Sequence, residues 1–181
     1  FLEIFCGKMM LTLGVKALCL HVPDGWDKLY PLANNETWDF ENVAVQKDAR
    51  AAISYIDPVV VHAAPPCTYL SVLGPHPTSD SYDLKAVAAA TSMINFAVSV
   101  IESRVVAGGG GSLESPGRSR CWGLDAVTAF FGTYEDPFPC KYFAKADLCT
   151  YGLTEPASEK GSLASQVLHY RKQIVVAATY P

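Results

Sequence analysis

Three short segments of this 181-residue chain carry side chains that could do chemistry. The first is Pro65-Pro66-Cys67. A thiolate is a strong nucleophile, and a cysteine at a strand end before a helix N-terminus sits where its pKa is lowered. The two prolines lack an N–H and fix φ, so they would hold Cys67 in one pose. The second segment is Leu113-Glu114-Ser115-Pro116, which offers the Glu114 carboxyl as a proton carrier. The third is Phe5-Cys6-Gly7, where a glycine lets the backbone approach a ligand. Asp24 and Asp27 follow an expected strand and could bind sugar hydroxyls. Asp48 is either the N-cap of a helix or a ligand contact. Each residue also has a plain structural reading: Cys67 as a packing residue, Glu114 as a solvated loop acid, Asp24 and Asp27 as turn acids.

These residues need a scaffold, and the hydrophobic pattern supplies one. Phe1 to Cys6 reads as a short buried strand, Met9 to Leu18 as a helix, and Cys19 to Val22 as a second strand ending at Pro23-Asp24-Gly25. Trp26 to Val45 reads as loop with one short helix. A helix capped by Asp48 runs through Tyr55 and stops at Asp57-Pro58. Val59 to Ala63 is a continuous apolar run of the kind found in parallel strands covered on both faces. Asp83 to Arg104 is the longest helix, with a stripe through Leu84, Val87, Ala88, Thr91, Ile94, Val98 and Ile101. The four-glycine run 108–111 precedes Glu114 and raises the entropy cost of holding that acid in place. Trp122 to Phe131 reads as a helix, Tyr142 to Ala144 as a strand, and Gln173 to Ala178 as a final strand. Alternating strands and helices predict one α/β domain over residues 1–181, with a mainly parallel sheet flanked by helices. The strand ends then share one edge, where ligands bind.

Composition narrows the classes. Half the residues are hydrophobic and 18% are charged, which suits a packed core. The net charge of −4 gives no global basic field for nucleic acid. Ala86 to Ile101 has no charge, but at sixteen residues it is shorter than a membrane span and reads as a buried helix. The six cysteines show no zinc spacing and are expected as reduced thiols in an intracellular setting. Cys140, Cys149 and His169 are the one set that could converge on a metal; no metal site is expected. The chain starts at Phe1, which leaves room for a removed targeting segment.

In order and spacing, the three segments resemble the catalytic domain of the DNA cytosine-5 methyltransferases, which use S-adenosylmethionine. Phe1-Leu2-Glu3-Ile4-Phe5-Cys6-Gly7 is similar to the family's cofactor loop, Ala64 to Ser71 to its Pro-Pro-Cys motif, and Leu113 to Pro116 to its acidic motif. The resemblance covers about residues 1–131 and leaves no room for a separate target-recognition domain. It implies a Rossmann-like methyltransferase fold, with cofactor contacts at Phe5, Gly7, Asp27, Asp48 and Pro65. It further implies that Cys67 adds to cytosine C6 while Glu114 hydrogen-bonds the ring, on a base turned out of its stack. Where the family has further glycines, this chain has Lys8-Met9-Met10, and Ser115 stands in place of an Asn. Those departures suit an alternative: a non-catalytic subunit that keeps the fold inside a larger protein assembly. An active chain would meet nucleic acid, weakly by itself. A third reading pairs Cys67 with His62 or His76 as a thiol hydrolase. His62, Tyr69 and Trp122 also read as core or rim residues, and Arg118 and Arg120 as phosphate contacts or a solvated turn.

Overall fold

The computed structural model describes residues 1–7, 9–29, 37–71, 83–147 and 173–179. Its elements run β1 (Leu2–Ile4), α1 (Met10–Ala17), α2 (Val43–Ile56), β2 (Val60–Ala63), α3 (Leu84–Val106), β3 (Gly110–Pro116), α4 (Asp125–Phe131), β4 (Lys141–Asp147) and β5 (Gln173–Thr179). They form one five-stranded sheet in the order β1-β2-β3-β5-β4.

The sheet is mixed, which corrects the mainly parallel expectation. β1 and β2 pair in parallel, as do β2 and β3, but β5 is antiparallel to both β3 and β4. Strand direction depends on how the chain returns to the sheet, and no local pattern encodes it. Three local corrections accompany it. No strand forms at Cys19–Val22; the chain stays exposed through His21 and reaches the sheet at one parallel bridge, Ile4 to Trp26. α2 starts earlier than expected, capped by Asn42, whose side chain accepts from Ala44 N at 2.9 Å; Asp48 therefore lies mid-helix and caps nothing. The expected Trp122–Phe131 helix splits into a 3-10 turn, Arg120–Gly123, and α4. The end of the glycine run belongs to the sheet: Gly110 and Gly111 open β3, opposite Val60 and Val61.

α3 forms where the longest stripe placed it. The Asp83 carboxylate caps it by accepting from Lys85 N and Ala86 N. It is long and apolar enough to cross a membrane, yet it lies on the sheet with Ile94, Ala97 and Ile101 at most 1% exposed. Alternation decides the two sheet faces. One carries Leu2, Ile4, Val61, Ala63, Leu113 and Ala177 against α3 and α4. The other carries Glu3, His62 and Ser112 at one register level, with Glu114 beyond. Phe5, Phe40 and Phe96 join β1, the start of α2 and α3, with ring centroids 4.7 and 5.1 Å apart along the series.

Gly111 sits under α3. A Cβ there would lie 2.8 Å from the Ile101 side chain and 2.9 Å from the Val61 carbonyl oxygen. Gly111→Ala should therefore cost about 1–3 kcal/mol by overpacking. In urea melts this is expected as a lower midpoint with an unchanged slope.

Candidate cofactor cleft and strand-end site

β1 ends in a strained turn. Phe5 takes φ +58° and Met9 φ +54°, left-handed values that cost a non-glycine residue about 1–3 kcal/mol. Gly7, at φ +50°, adopts the same region without that penalty. Its N–H donates to Asp27 Oδ2 at 3.0 Å, and Leu29 N–H donates to Asp27 Oδ1 at 2.8 Å. Each carboxylate oxygen has a second lone pair, so Asp27 keeps acceptor capacity for a ligand.

Asp27 and Phe5 line a cleft of about 340 Å³ at the strand ends, with Trp38, Asp39, Glu41 and Pro66 among its other walls. Trp38 stacks on Trp26 with centroids 4.2 Å apart and planes 11° apart. Glu41, Pro66 and Met93 also line a second hollow of about 320 Å³, which extends past Thr68 and Tyr69 toward the first turns of α3. The first cleft is acidic: against Asp27, Asp39 and Glu41 stands Lys28, 3.3 Å from both Asp39 and Glu41. Hydrogen bonds to Asp39 and then Glu41 raise the Lys28 pKa. Such a cleft suits an aromatic or cationic ligand better than a phosphate.

Of the sequence candidates, Phe5 and Asp27 meet in this cleft, and Gly7 holds Asp27 from behind. Asp24 turns away to Lys16 at 2.6 Å. Pro65 is buried, and its neighbour Pro66 forms the wall. Asp48 is exposed on α2, outside the linings of both hollows. Trp38, Asp39 and Glu41 are cleft residues that no motif singled out. Their one signal is the alternation of aromatic and acid in Trp38-Asp39-Phe40-Glu41, just before the Asn42 cap.

Cys67 follows the end of β2, and Glu114 lies within the neighbouring strand β3, opposite Val176 of β5. The half-buried Cys67 is held by a single turn, its carbonyl accepting from Leu70 N at 3.0 Å and Ser71 N at 2.7 Å. Ser119 Oγ and Arg120 N both donate to Leu70 O, and the Arg120 guanidinium donates to Tyr69 O. Arg120 thus fastens the Cys67 turn. Burial pushes up the pKa of the Cys121 thiol. Cys6 is pushed up to about 12 by burial and by the charges of Asp27 and Glu3, which makes it a poor nucleophile. Trp122 donates to Pro116 O and packs on Phe143, a structural role.

Glu114 faces His62, with Oε2 3.8 Å from Nε2. His62 is buried, as expected, and its Nδ1 lies 2.8 Å from Ser112 Oγ. His76, Cys149 and His169 lie outside the described residues, as does Lys8. Among the described residues no cluster of three or more His, Cys, Asp or Glu could hold a metal. Comparison with protein-family models and with curated proteins finds no match.

Burial lowers the His62 pKa to about 4. The unfolded chain then binds more protons than the folded one between about pH 6.5 and 4, so stability falls as pH drops through that window. The contribution is roughly 3 kcal/mol. His62→Gln removes this titration, and the gap between its pH–stability curve and that of the wild type should close on acidification.

Proposed function

We propose that the chain is an S-adenosylmethionine-binding domain of the cytosine-5 methyltransferase type, with a Rossmann-like fold. Phe5, Asp27, Trp38 and Pro66 hold the cofactor, and Cys67 and Glu114 serve as nucleophile and acid toward a cytosine. The observation that carries this reading is the anchored Asp27 carboxylate beside Phe5 and Trp38, at the carboxyl end of β1.

The lining fits the cofactor's chemistry. Asp27 has acceptors for ribose hydroxyls, and Trp38 and Phe5 offer aromatic surface for a purine. Asp39 and Glu41 favour a positively charged ligand. When bound, the cofactor supplies an electrophilic methyl group. The chain's own residues do the rest. The Pro65-Pro66 pair and the clasp from Ser119 and Arg120 fix the Cys67 turn beside the cleft wall. Glu114 presents a carboxyl from the next strand. With a net charge of −4, the chain alone would hold a nucleic acid weakly.

A second reading is a non-catalytic subunit of a larger protein assembly. Leu11, Leu13, Leu18 and Leu20 favour it, since each is at least 42% exposed on or just after α1.

Calorimetric titration with S-adenosylmethionine tests the proposal. Binding is expected, weakened roughly tenfold to a hundredfold in Asp27→Asn, which keeps the shape and one acceptor but loses the charge. Cys67→Ser should keep that binding and abolish methyl transfer to a cytosine-containing oligonucleotide. A folded wild type that gives no binding heat at millimolar cofactor overturns the proposal.

A further inference from the structure

The sheet face turned away from α3 carries polar groups in a row: Glu3, His62 and Ser112. Glu3 is already engaged, since its Oε2 accepts from Thr12 N at 2.7 Å and Thr12 Oγ1 at 2.6 Å. His62 instead reaches along β3, with Nδ1 2.8 Å from Ser112 Oγ and Nε2 3.8 Å from Glu114 Oε2. A buried neutral imidazole has one N–H and one lone pair, and its partners decide which nitrogen holds which. An ionised carboxylate only accepts, whereas the Ser112 hydroxyl can donate or accept. An acceptor oxygen beside Nε2 favours the proton on that nitrogen, with Ser112 Oγ–H donating to Nδ1. Hydrogen bonds at reactive groups are often long without ligand and tighten when it arrives.

We propose that His62 is the positioning residue for Glu114. Ser112 locks the ring from Nδ1, and Nε2–H faces carboxylate oxygen Oε2 of Glu114 at 3.8 Å. Glu3 from β1, the acid at the same register level, is occupied by Thr12 of α1, and Val176 of β5, opposite Glu114, is apolar. The kinetic consequence rests on the methyltransferase reading; the His62–Glu114 pairing does not.

The test has two arms on the full chain. Long-range ¹H–¹⁵N spectra at pH 7 should show His62 protonated on Nε2 and bare on Nδ1. Ser112→Ala should mix the tautomers, and Glu114→Gln should move the Nε2 resonance more than that of Nδ1. A wild-type ring protonated on Nδ1, or an Nε2 resonance indifferent to Glu114→Gln, overturns the proposal. In the kinetic arm, His62→Leu should lower kcat for methyl transfer to a cytosine oligonucleotide about tenfold, with the KM for cofactor unchanged. His62→Gln, whose amide N–H can reach the same oxygen, should recover most of the loss. Equal losses in two folded variants overturn the positioning role. A wild type with no methyl transfer but with the Nε2–H tautomer and its response to Glu114→Gln sinks the methyltransferase reading and upholds the pairing.

Discussion

A side chain at position 111 would fall 2.8 Å from Ile101, so α3 reaches the middle of the sheet only because β3 opens on bare backbone. Ile101, Ala97 and Ile94 then bury completely or nearly so. The same helix carries Phe96 and Met93 toward the cleft, five and eight residues before Ile101, or about 7.5 and 12 Å along the axis. Phe96 supports Phe40, which supports Phe5, and Met93 lines both hollows. One glycine contact thus sets the depth at which the cleft's aromatic floor lies. It also fixes the level of β2, which leads to Cys67, and of β3, which carries Glu114.

The opposite face depends on polar satisfaction instead of apolar area. α1 has no side-chain cap of its own: Met9, in its N-cap position, makes no such bond. Glu3 of β1 supplies the missing acceptor by taking the Thr12 N–H, and its negative charge lies near the helix N-terminus, where the dipole favours it. Leaving one of these buried partners unmatched would cost about 1–3 kcal/mol. The contact ties α1 to β1, and the turn between them is held at both ends. That tether, together with the Gly7–Asp27 bond, is what offsets the left-handed conformations at Phe5 and Met9.

Much of this architecture is legible in local signals. The β-branched run at Val59–Ala63, the Asp83 cap with its long stripe, and the apolar Gln173–Ala178 segment each form the expected element, because a few neighbouring residues decide each one. The expected strand at Cys19–Val22 has a weaker basis. Pro23-Asp24-Gly25 follows it at once, and the chain bridges β1 at Trp26. The reversal of β5 is invisible in sequence because a strand's composition does not state its direction. The site shows the same division. Cys67, Glu114, Phe5 and Asp27 stand out by residue type and motif. Trp38, Asp39 and Met93 do not, since only tertiary packing gathers segments so distant in sequence around one hollow.

Under the methyltransferase reading, the cleft's charge constrains how a substrate can enter. Asp27, Asp39 and Glu41 outnumber Lys28, which Asp39 and Glu41 already hold. A phosphate about 6 Å from one such carboxylate costs roughly 3 kcal/mol at an effective dielectric constant of about 20. The same acids lower the energy of a cationic cofactor, so one charge pattern serves cofactor and repels nucleic-acid backbone. A nucleic-acid substrate must therefore keep its phosphates away from the Asp39–Glu41 rim and approach from the side of Cys67 and Glu114. An unstacked base is uncharged, and it is the one part of a nucleotide that can come beside this rim without meeting that repulsion.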